Sequence, residues 1–362
     1  MFSPNAFRLL RTLYGFTLDE IAKRIHTTRQ YVHAIENGSK YPSNEHIAMF
    51  SMIFGVKKDY FFQENNPSIQ ESEVHFRKLR TTKQSLKLQT IARLEMVDSV
   101  ISILEHELNL PDINFPSVEG DGFSFRQIES IAEQCRQLWG LGIDPISNMT
   151  RLAENNGALV LDLDNTSSNI DALSIFKHRP IILRNTAKES ICRRRFDIAH
   201  EIGHFVLHRY ITTGDKQTEH EANTFASALL LPKPVMENYF PIPQRGRINW
   251  SAVSEFKIKW RVSKAACFYR AHKLGLLTDS QYKTAVIQLR CNGEAITERE
   301  DYLIEEEKPE LILNALAAID KFGLQYVANV LSINESTLRK ILSLPQTGHN
   351  KIIKLTPKLS LS

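Results

Sequence analysis

The stretch RFDIAHEIGHFVLH, residues 195–208, decides most of what this 362-residue sequence predicts. It contains the pattern H-E-x-x-H at His200, Glu201 and His204. On a helix, residues i and i+4 project from one face, so two imidazoles at this spacing can hold one zinc ion, with the glutamate placed to take a proton from water. The neighbouring residues are apolar, which predicts a buried helix. Burying two histidines and a glutamate without a partner is costly, so the pattern favours a metal site.

A catalytic zinc ion usually has three protein ligands, so a third donor is expected on a nearby element. The stretch TEHEANTFASALLLP, residues 218–232, supplies it. We favour Glu219 as the ligand, with His220 and Glu221 as the alternatives; Glu221 lies on a different face of the predicted helix from Glu219. Asn223 follows Glu219 by four residues and can orient a histidine ligand by a hydrogen bond.

Three other polar residues lie near the motif. His208 lies four residues beyond His204, and a supporting or helix-capping role is expected rather than metal binding. Arg194 and Arg195 are either surface charges or anchors for an acidic segment of a neighbouring element.

The first 62 residues predict a compact helical unit. A helix in AFRLLRTLYG is ended by Gly15, and Thr17 and Thr28 can cap the next two helices, LDEIAKRI and RQYVHAIEN. A fourth helix follows in NEHIAMFSMIFGV. Two short helices joined by a tight turn within such a bundle are helix-turn-helix geometry.

The rest of the chain predicts further helices around a small sheet. Residues 63–119 are predicted to be a helical linker region, with helix from 71 to 110. Strands are predicted at 158–163 and at two stretches within 171–185, where apolar residues alternate or cluster. The predicted fold class is therefore mainly α with a small β-sheet, or α+β, with a helical C-terminal region at 301–362.

The end of the sequence repeats the apolar pattern of its beginning. With a shift of 306 residues, Phe16 aligns with Phe322, and apolar positions of the two predicted helix pairs coincide. A second helix-turn-helix and a helical hairpin packed on the rest of the protein are the two interpretations.

Composition limits the class of protein. The chain is 42% hydrophobic and 24% charged, values typical of a soluble protein, and its four cysteines show no C-x-x-C spacing. A net charge of +4 permits nucleic-acid binding without requiring it. The N-terminus lacks the pattern of a signal peptide, so we expect a cytoplasmic protein that does not enter a membrane.

The stretches RRRFDIAHEIGHFVLH and EHEANTFASALLLP resemble the signature of the ImmA/IrrE metallopeptidases. In that family the first glutamate of an E-x-E/Q-A-N-x-F-A stretch is the third zinc ligand, and here this is Glu219. The resemblance covers about residues 120–300 and reaches Asp171 and Ala172, on a strand like the family's substrate-side strand. It implies a minimal gluzincin-like zinc peptidase domain at 120–240, with Glu201 as catalytic base, and a helix-turn-helix-like module at 241–300.

The N-terminal unit, 1–62, resembles the Cro/repressor-type, or XRE-family, helix-turn-helix through residues 18–56. Base edges are expected to meet Thr28, Arg29, Gln30 and His33, and phosphates to meet Lys23, Arg24 and Lys40. Leu18 stands where the family often has glutamine, so one common contact is missing. Docking to a protein is the alternative role of this unit.

Two further basic stretches are candidates for contact with nucleic acid. FRKLRTTKQSLK, residues 76–87, can be a nucleic-acid contact or a solvated basic helix face. The stretch WRVSKAACFYRAHKLGLL, residues 260–277, is also helix-turn-helix-like, and three of its residues are candidates for contact with DNA or a substrate protein, with packing as the default role: Arg261, Lys264 and Arg270.

The combined hypothesis is a DNA-binding transcriptional regulator with zinc-dependent endopeptidase activity. The resemblance implies that it cleaves a repressor- or antitoxin-type protein in a stress or mobile-element response. Expected partners are a double-stranded DNA operator, that protein substrate, single-stranded DNA as a candidate activator, and a second copy in a homodimer. The alternative is a transcription factor or antitoxin-like regulator with a structural zinc site or a dormant peptidase.

Overall fold

The computed structural model describes residues 1–63, 69–76, 83–120, 122–163, 172–244, 247–319 and 322–345, except for the side chains of Ser72 and Phe76. The helices are α1 Pro4–Leu13, α2 Leu18–Arg24, α3 Arg29–Glu36, α4 Asn44–Phe54, α5 Gln84–Glu107, α6 Phe125–Leu138, α7 Met149–Asn155, α8 Ile191–Leu207, α9 Lys216–Leu230, α10 Lys233–Tyr239, α11 Trp250–Trp260, α12 Lys264–Lys273, α13 Asp279–Cys291, α14 Leu311–Ile319, α15 Gly323–Val330 and α16 Glu335–Ile341. The strands are β1 Val74–Phe76, β2 Leu159–Leu163, β3 Ala172–Phe176 and β4 Pro180–Asn185. The predicted α+β class is confirmed.

The N-terminal unit consists of α1 to α4, and its helix starts follow from local capping. Thr17 accepts a hydrogen bond from the amide of Glu20, whose carboxylate accepts in turn from the amide of Thr17, a reciprocal capping box. Thr28 caps α3 by accepting a hydrogen bond from the amide of Tyr31. Both caps are the ones that the sequence predicted, and they set the turn between α2 and α3.

The sheet has the strand order β1-β3-β4-β2. β2 and β4 are parallel, whereas β3 pairs antiparallel with β4 on one edge and with β1 on the other. The strands predicted at 158–163 and within 171–185 are confirmed as β2, β3 and β4. The prediction of continuous helix from 71 to 110 is wrong, because residues 74–76 form β1 and the helix begins only at Gln84. A three-residue strand carries almost no periodic signal, and pairing with β3 decides its conformation.

The sheet separates two hydrophobic cores. Leu161 and Leu183 belong to the core that also contains the N-terminal unit, α5 and the C-terminal helices. Val160 and Ile182 belong to the other, with α8, α9 and α11 to α13. Alternating strand residues face opposite sides, so this small sheet connects both halves of the molecule.

Helices α11 and α12 are held by an acidic segment that follows α13. The buried Lys257 pairs with Glu298 at 2.7 Å and Asp301 at 2.5 Å, and the buried Lys264 pairs with Glu300 at 3.0 Å. These partners hold Lys264 inside the protein, where it cannot meet DNA.

The other two candidates for contact with DNA or a substrate protein in this module also make internal contacts. Arg270 is buried and pairs with Glu129 through both oxygens of the carboxylate. Arg261 donates to the carbonyl of Ser147. The default role of the module, packing, agrees with these contacts. Half of the stretch 76–87, residues 77–82, lies outside the described part of the chain.

The C-terminal helices α14 to α16 reproduce α1 to α3 at the shift of 306 residues. The turns between the second and third helices match in detail: His26 and Ser332 have φ of 53° and 55°. The amide of Thr27 donates to the carbonyl of Ala22 at 2.9 Å, and the equivalent bond of Ile333 to Ala328 has the same length. The repeat seen in the apolar pattern is therefore also present in the backbone.

This C-terminal unit packs on the N-terminal one. Val56 and Ile333 form an antiparallel bridge, and the amide of Asn334 donates to the carbonyl of Gly55. Thr337, at the start of α16, donates to the same carbonyl at 2.9 Å. The start of α16 is thus engaged in a contact within the protein, as the packed-hairpin interpretation expects. Residues 346–362 of the predicted 301–362 region lie outside the described chain.

No single helix within the described ranges is both long and apolar enough to cross a membrane; α14 and α15 meet that criterion only as a pair, and they are bent by 89° at their junction.

Candidate metal centre

Helices α8 and α9 cross closely where the candidate ligands lie. At Gly203, one residue before His204, a Cβ would lie 3.2 Å from the backbone Cα and oxygen of Ala222. The missing side chain lets α9 approach α8, and this approach brings Glu219 to the histidine face. Asp215 caps α9 by accepting from two backbone amides, which fixes the start of that helix three residues before Glu219.

The three predicted ligands converge on one point. The Nε2 atoms of His200 and His204 are 3.1 Å apart, and each is 3.4 Å from one carboxylate oxygen of Glu219. Both histidines are buried and Glu219 is partly exposed, so the cluster opens to one side. Among the described residues this is the one set of three potential ligands whose donor atoms all lie within 4.8 Å of one another.

Hydrogen bonds at the outer nitrogens determine which tautomers the ligands adopt. His208 Nε2 lies 2.9 Å from a carboxylate oxygen of Glu221, which can only accept, so Nε2 carries the proton. His208 Nδ1 then accepts from His204 Nδ1 at 2.9 Å, which leaves the Nε2 lone pair of His204 directed at the cluster. His200 Nδ1 lies 3.1 Å from Asn223 Oδ1, and donation there directs its Nε2 lone pair inward as well.

This arrangement fits a zinc ion. Two imidazole lone pairs and a carboxylate meet without a proton between them, an arrangement that a cation stabilises. The donor atoms are 3.1–3.4 Å apart, the spacing expected of ligands about 2.0–2.2 Å from a tetrahedral ion. A two-histidine, one-glutamate set is also a known catalytic zinc combination.

The site strongly perturbs the pKa values of its own groups. Burial lowers the pKa of His204 to about 3, so this imidazole is neutral at physiological pH. The imidazole of His204 can therefore bind a cation without first losing a proton.

Glu201 lies beside the ligands, buried in the wall between α8 and the sheet. Its Oε2 accepts a hydrogen bond of 2.5 Å from the hydroxyl of Ser174 on β3, and both side chains are at most 1% exposed. Ser174 was not predicted from the sequence. Its place on the inward-facing side of its strand is the only signal that could have identified it. The hydroxyl holds the carboxylate of Glu201 against β3.

The alternative third ligands occupy other places. Glu221 accepts from His208, from the amide of Phe123 at 3.0 Å and from Gln217 at 3.0 Å. His220 is exposed. Glu221 therefore acts on the cluster through His208. From the sequence it was predicted only as an alternative metal ligand.

His75 on β1 also reaches the cluster, although the sequence placed it in a linker. Its ring stacks on that of His204 with centroids 5.0 Å apart and planes 10° apart. Its Nδ1 lies 2.5 Å from the hydroxyl of Thr213. Burial, aided by the neighbouring histidines, holds its pKa well below the usual range, so the ring is neutral. Nothing in the spacing of residues 71–83 distinguishes this histidine.

The N-terminal half of α8 is anchored by the segment before α14. Arg194 pairs with Glu306 at 2.8 Å, and the buried Arg195 pairs with Glu307 and donates to the carbonyl of Ile146 at 2.6 Å. Arg194 and Arg195 thus anchor α8 to an acidic segment, which is one of the two roles that the sequence left open.

The predicted DNA-contacting residues lie on the surface of the N-terminal unit. All of them are exposed: Thr28, Arg29, Gln30, His33, Lys23, Arg24 and Lys40. Arg29 has one weak partner, Asp19 at 3.6 Å. The face that a helix-turn-helix presents to DNA is thus available. Asp171, which the resemblance included, lies outside the described residues.

Comparison with known families agrees with both units. A family model described as a helix-turn-helix domain matches residues 5–67. A peptidase family model described as an IrrE N-terminal-like domain matches residues 153–272, which include both ligand-bearing helices. Among curated proteins, none matches the chain. The chain is therefore similar to XRE-like helix-turn-helix domains over residues 5–67 and to the IrrE N-terminal-like peptidase domain over residues 153–272.

Proposed function

We propose that this protein is a DNA-binding regulator with a zinc-dependent endopeptidase site that acts on a protein partner. The observation that carries the proposal is the convergence of His200, His204 and Glu219 beside a buried Glu201. A repressor- or antitoxin-type substrate, single-stranded DNA as activator, a homodimer and a cytoplasmic location remain predictions from the resemblance.

The proposed chemistry assigns a role to each side chain. The two histidines and Glu219 would hold a zinc ion, which supplies polarisation of the scissile carbonyl and acidification of a water molecule. Glu201 would accept the proton of that water at a carboxylate oxygen and deliver it to the leaving amide nitrogen. Ser174 keeps the carboxylate in place by its 2.5 Å hydrogen bond.

The test of the peptidase is hydrolysis that depends on Glu201. Zinc-loaded protein is incubated with proteins encoded next to it, with and without single-stranded DNA, and products are identified by mass spectrometry. Glu201→Gln should abolish cleavage and retain one zinc per chain, because it removes the base and none of the ligands. Glu237→Gln, a surface change on α10, should cleave as the wild type does. Zinc bound at less than one per chain by the wild type would refute the proposal.

The DNA-binding role is supported by the family match and by the exposed face of α3. Arginine and glutamine are the side chains that contact guanine and adenine in bidentate fashion. On a selected operator, Arg29→Ala and Gln30→Ala should each weaken binding by about 1–3 kcal/mol. Lys259→Ala, an exposed charge on α11, should not. Equal affinity of all three variants would favour a docking role for this unit.

A dormant peptidase is the second candidate, and one observation favours it. β1 covers the edge of β3 beside Glu201, and His75 packs on a ligand. Under that alternative, Glu201→Gln would leave regulation by the protein unchanged.

A further inference from the structure

The segment that follows the helix-turn-helix domain lies across the candidate metal centre. β1 pairs antiparallel with β3 over three residues: Val74 with Ile175, His75 with Ser174 and Phe76 with Leu173. β4 occupies the other edge of β3. Both edges of β3 are therefore filled by the chain itself.

β3 is the strand that a peptide must approach to reach Glu201. Ser174, in the middle of β3, bonds directly to the carboxylate of Glu201. An extended peptide commonly binds a protein by adding a strand to an exposed sheet edge, where backbone hydrogen bonds supply affinity. The edge that faces away from β4 is the one β1 fills, so a second peptide can pair there only after β1 has left.

His75 adds a side-chain contact to this backbone pairing. It is opposite Ser174 in the register, stacks on His204 and contacts Thr213, and it is 5% exposed. His75 therefore contacts a candidate ligand although it lies outside residues 153–272, the part of the chain that matches the peptidase family.

The other described contacts of residues 69–76 are with the core and with α5. Val74 is buried in the core on the opposite face from His75. The amide of Ile69 donates to Glu95 of α5 at 2.5 Å, and Glu71 pairs with Lys87 at 2.9 Å. Over the described pairs Val74–Phe76, the pairing with β3 supplies few backbone hydrogen bonds, each with a net value of about 0.5–1.5 kcal/mol. A longer peptide with its own strand can thus compete for the edge.

We propose that this edge of β3 is a docking surface for an extended peptide and that its resting occupant is the chain's own segment Val74–Phe76. The inference rests on the peptidase function proposed above. Because the segment is tethered, its effective concentration is on the order of millimolar, so a free peptide binds weakly until β1 is displaced.

The first test measures binding without hydrolysis. A fluorescent peptide with the sequence of residues 69–83, IQESEVHFRKLRTTK, is titrated into zinc-loaded Glu201→Gln protein and followed by anisotropy. The comparison is the same protein with Val74→Gly, His75→Gly and Phe76→Gly. The glycine variant should bind the peptide at least about tenfold more tightly, because its own segment no longer competes. Equal affinities would overturn the proposal.

The second test locks the strand in place. Val74→Cys and Ile175→Cys are introduced together with Cys291→Ser, which removes the exposed cysteine. Residues opposite each other in antiparallel strands have Cα atoms about 4.5–5.5 Å apart, within the range of a disulfide. Both side chains point away from the metal cluster. The oxidised protein should bind the peptide at least about tenfold more weakly than the reduced protein, and reduction should restore binding.

Hydrogen exchange checks the folding of both variants and reports on the edge itself. Amides of residues 172–176 should exchange faster in the glycine variant, whereas α12 should keep wild-type protection. Unchanged exchange in β3 would show that the edge was never covered and would overturn the inference.

The outcomes separate this inference from the peptidase proposal. If the glycine variant binds the peptide but protein with intact Glu201 cleaves no partner, the docking surface stands and the peptidase fails. If the oxidised and reduced cysteine variants cleave a partner equally fast, the peptidase stands and the docking inference fails. If wild-type protein cleaves itself within residues 69–83 on addition of zinc, the segment is a substrate and its role as resting occupant is wrong.

Discussion

Each candidate histidine ligand at the metal centre is held in its tautomer by a partner one hydrogen bond away. Asn223 orients His200, and the pair His208–Glu221 orients His204. Such outer partners determine how well the inner nitrogens are presented to a metal, because a free imidazole divides its time between two tautomers.

Replacement of Glu221 by glutamine should therefore weaken zinc binding. The side chain keeps its shape but no longer forces the proton onto His208 Nε2, and loss of such a partner typically costs about 10–100-fold in metal affinity. The measurement is a competition titration with a chromogenic chelator. His220→Ala, on the neighbouring exposed position, is the matched control, and affinities equal to that control would contradict the tautomer argument.

Among the elements, the crossing of α8 and α9 and the acidic segment after α13 carry the most specific packing. The first depends on the absence of a side chain at Gly203. The second depends on burying Lys257 and Lys264 against four carboxylates: Glu294, Glu298, Glu300 and Asp301. Both arrangements join segments that are distant in sequence.

Gly203→Ala tests the first arrangement. Helix propensity alone predicts a gain of about 1 kcal/mol in the free energy of unfolding. The new Cβ, however, meets the backbone of Ala222 at 3.2 Å, so α9 must move by a few tenths of an ångström and carry Glu219 with it. Zinc affinity should fall, and the gain in stability should be reduced or reversed by an overpacking cost of about 1–3 kcal/mol. A higher melting temperature with unchanged zinc affinity would show that the crossing tolerates the methyl group.

Glu300 makes the second arrangement dependent on pH. Burial would raise its pKa, but hydrogen bonds from Ser254 and Lys264 lower it from 4.5 to about 2. Because the folded-state pKa is the lower one, the stabilisation by Glu300 is complete above pH 4.5 and is lost as pH falls toward 2. The measurement is urea unfolding of wild type and Glu300→Gln at pH 7, 4 and 3. The difference between them should shrink as pH falls, and a constant difference would refute the ion-pair explanation.

In the whole molecule, α5 is the helix that connects the DNA-binding unit to the remainder. It packs against α1 on one side and against α14 and α16 on another, and Arg93 donates to the carbonyls of Asp162 and Ile341. The N-terminal unit, the C-terminal repeat and one face of the peptidase sheet thus share a core. Val74 of β1 belongs to the same core as the helices of the N-terminal unit.

Leu94→Ala on α5 tests that shared core. Leu94 is fully buried, and truncation of such a side chain typically costs about 2–5 kcal/mol. Hydrogen exchange followed by mass spectrometry should show protection falling together in α1 and α16, with α12 in the other core less affected. Leu88→Ala, 45% exposed on the same helix, should change stability by less than about 0.5 kcal/mol. Loss of protection in α16 alone would mean that the units do not unfold together.

Much of the fold and of the site could be predicted because the relevant signals are local. Thr17 and Thr28 mark helix starts through bonds to residues three positions away. His200 and His204 share a helix face by spacing alone, and Glu219 with Asn223 does so on the next helix. In contrast, the roles of Ser174, His75 and Glu221 could not be predicted, because each depends on a contact between distant segments.

The sequence by itself determined the helix-turn-helix, the internal repeat and the identity of the candidate ligands, since caps, apolar periodicity and i to i+4 spacing act within one or two helical turns. Only the tertiary structure decided that residues 74–76 are a strand, that Glu221 acts through His208, and that His75 covers a ligand. A three-residue strand has too few neighbours to specify its own conformation, and its pairing with β3 supplies what the local sequence does not. The folding of the chain thus brings a linker segment to the edge of the candidate metal centre.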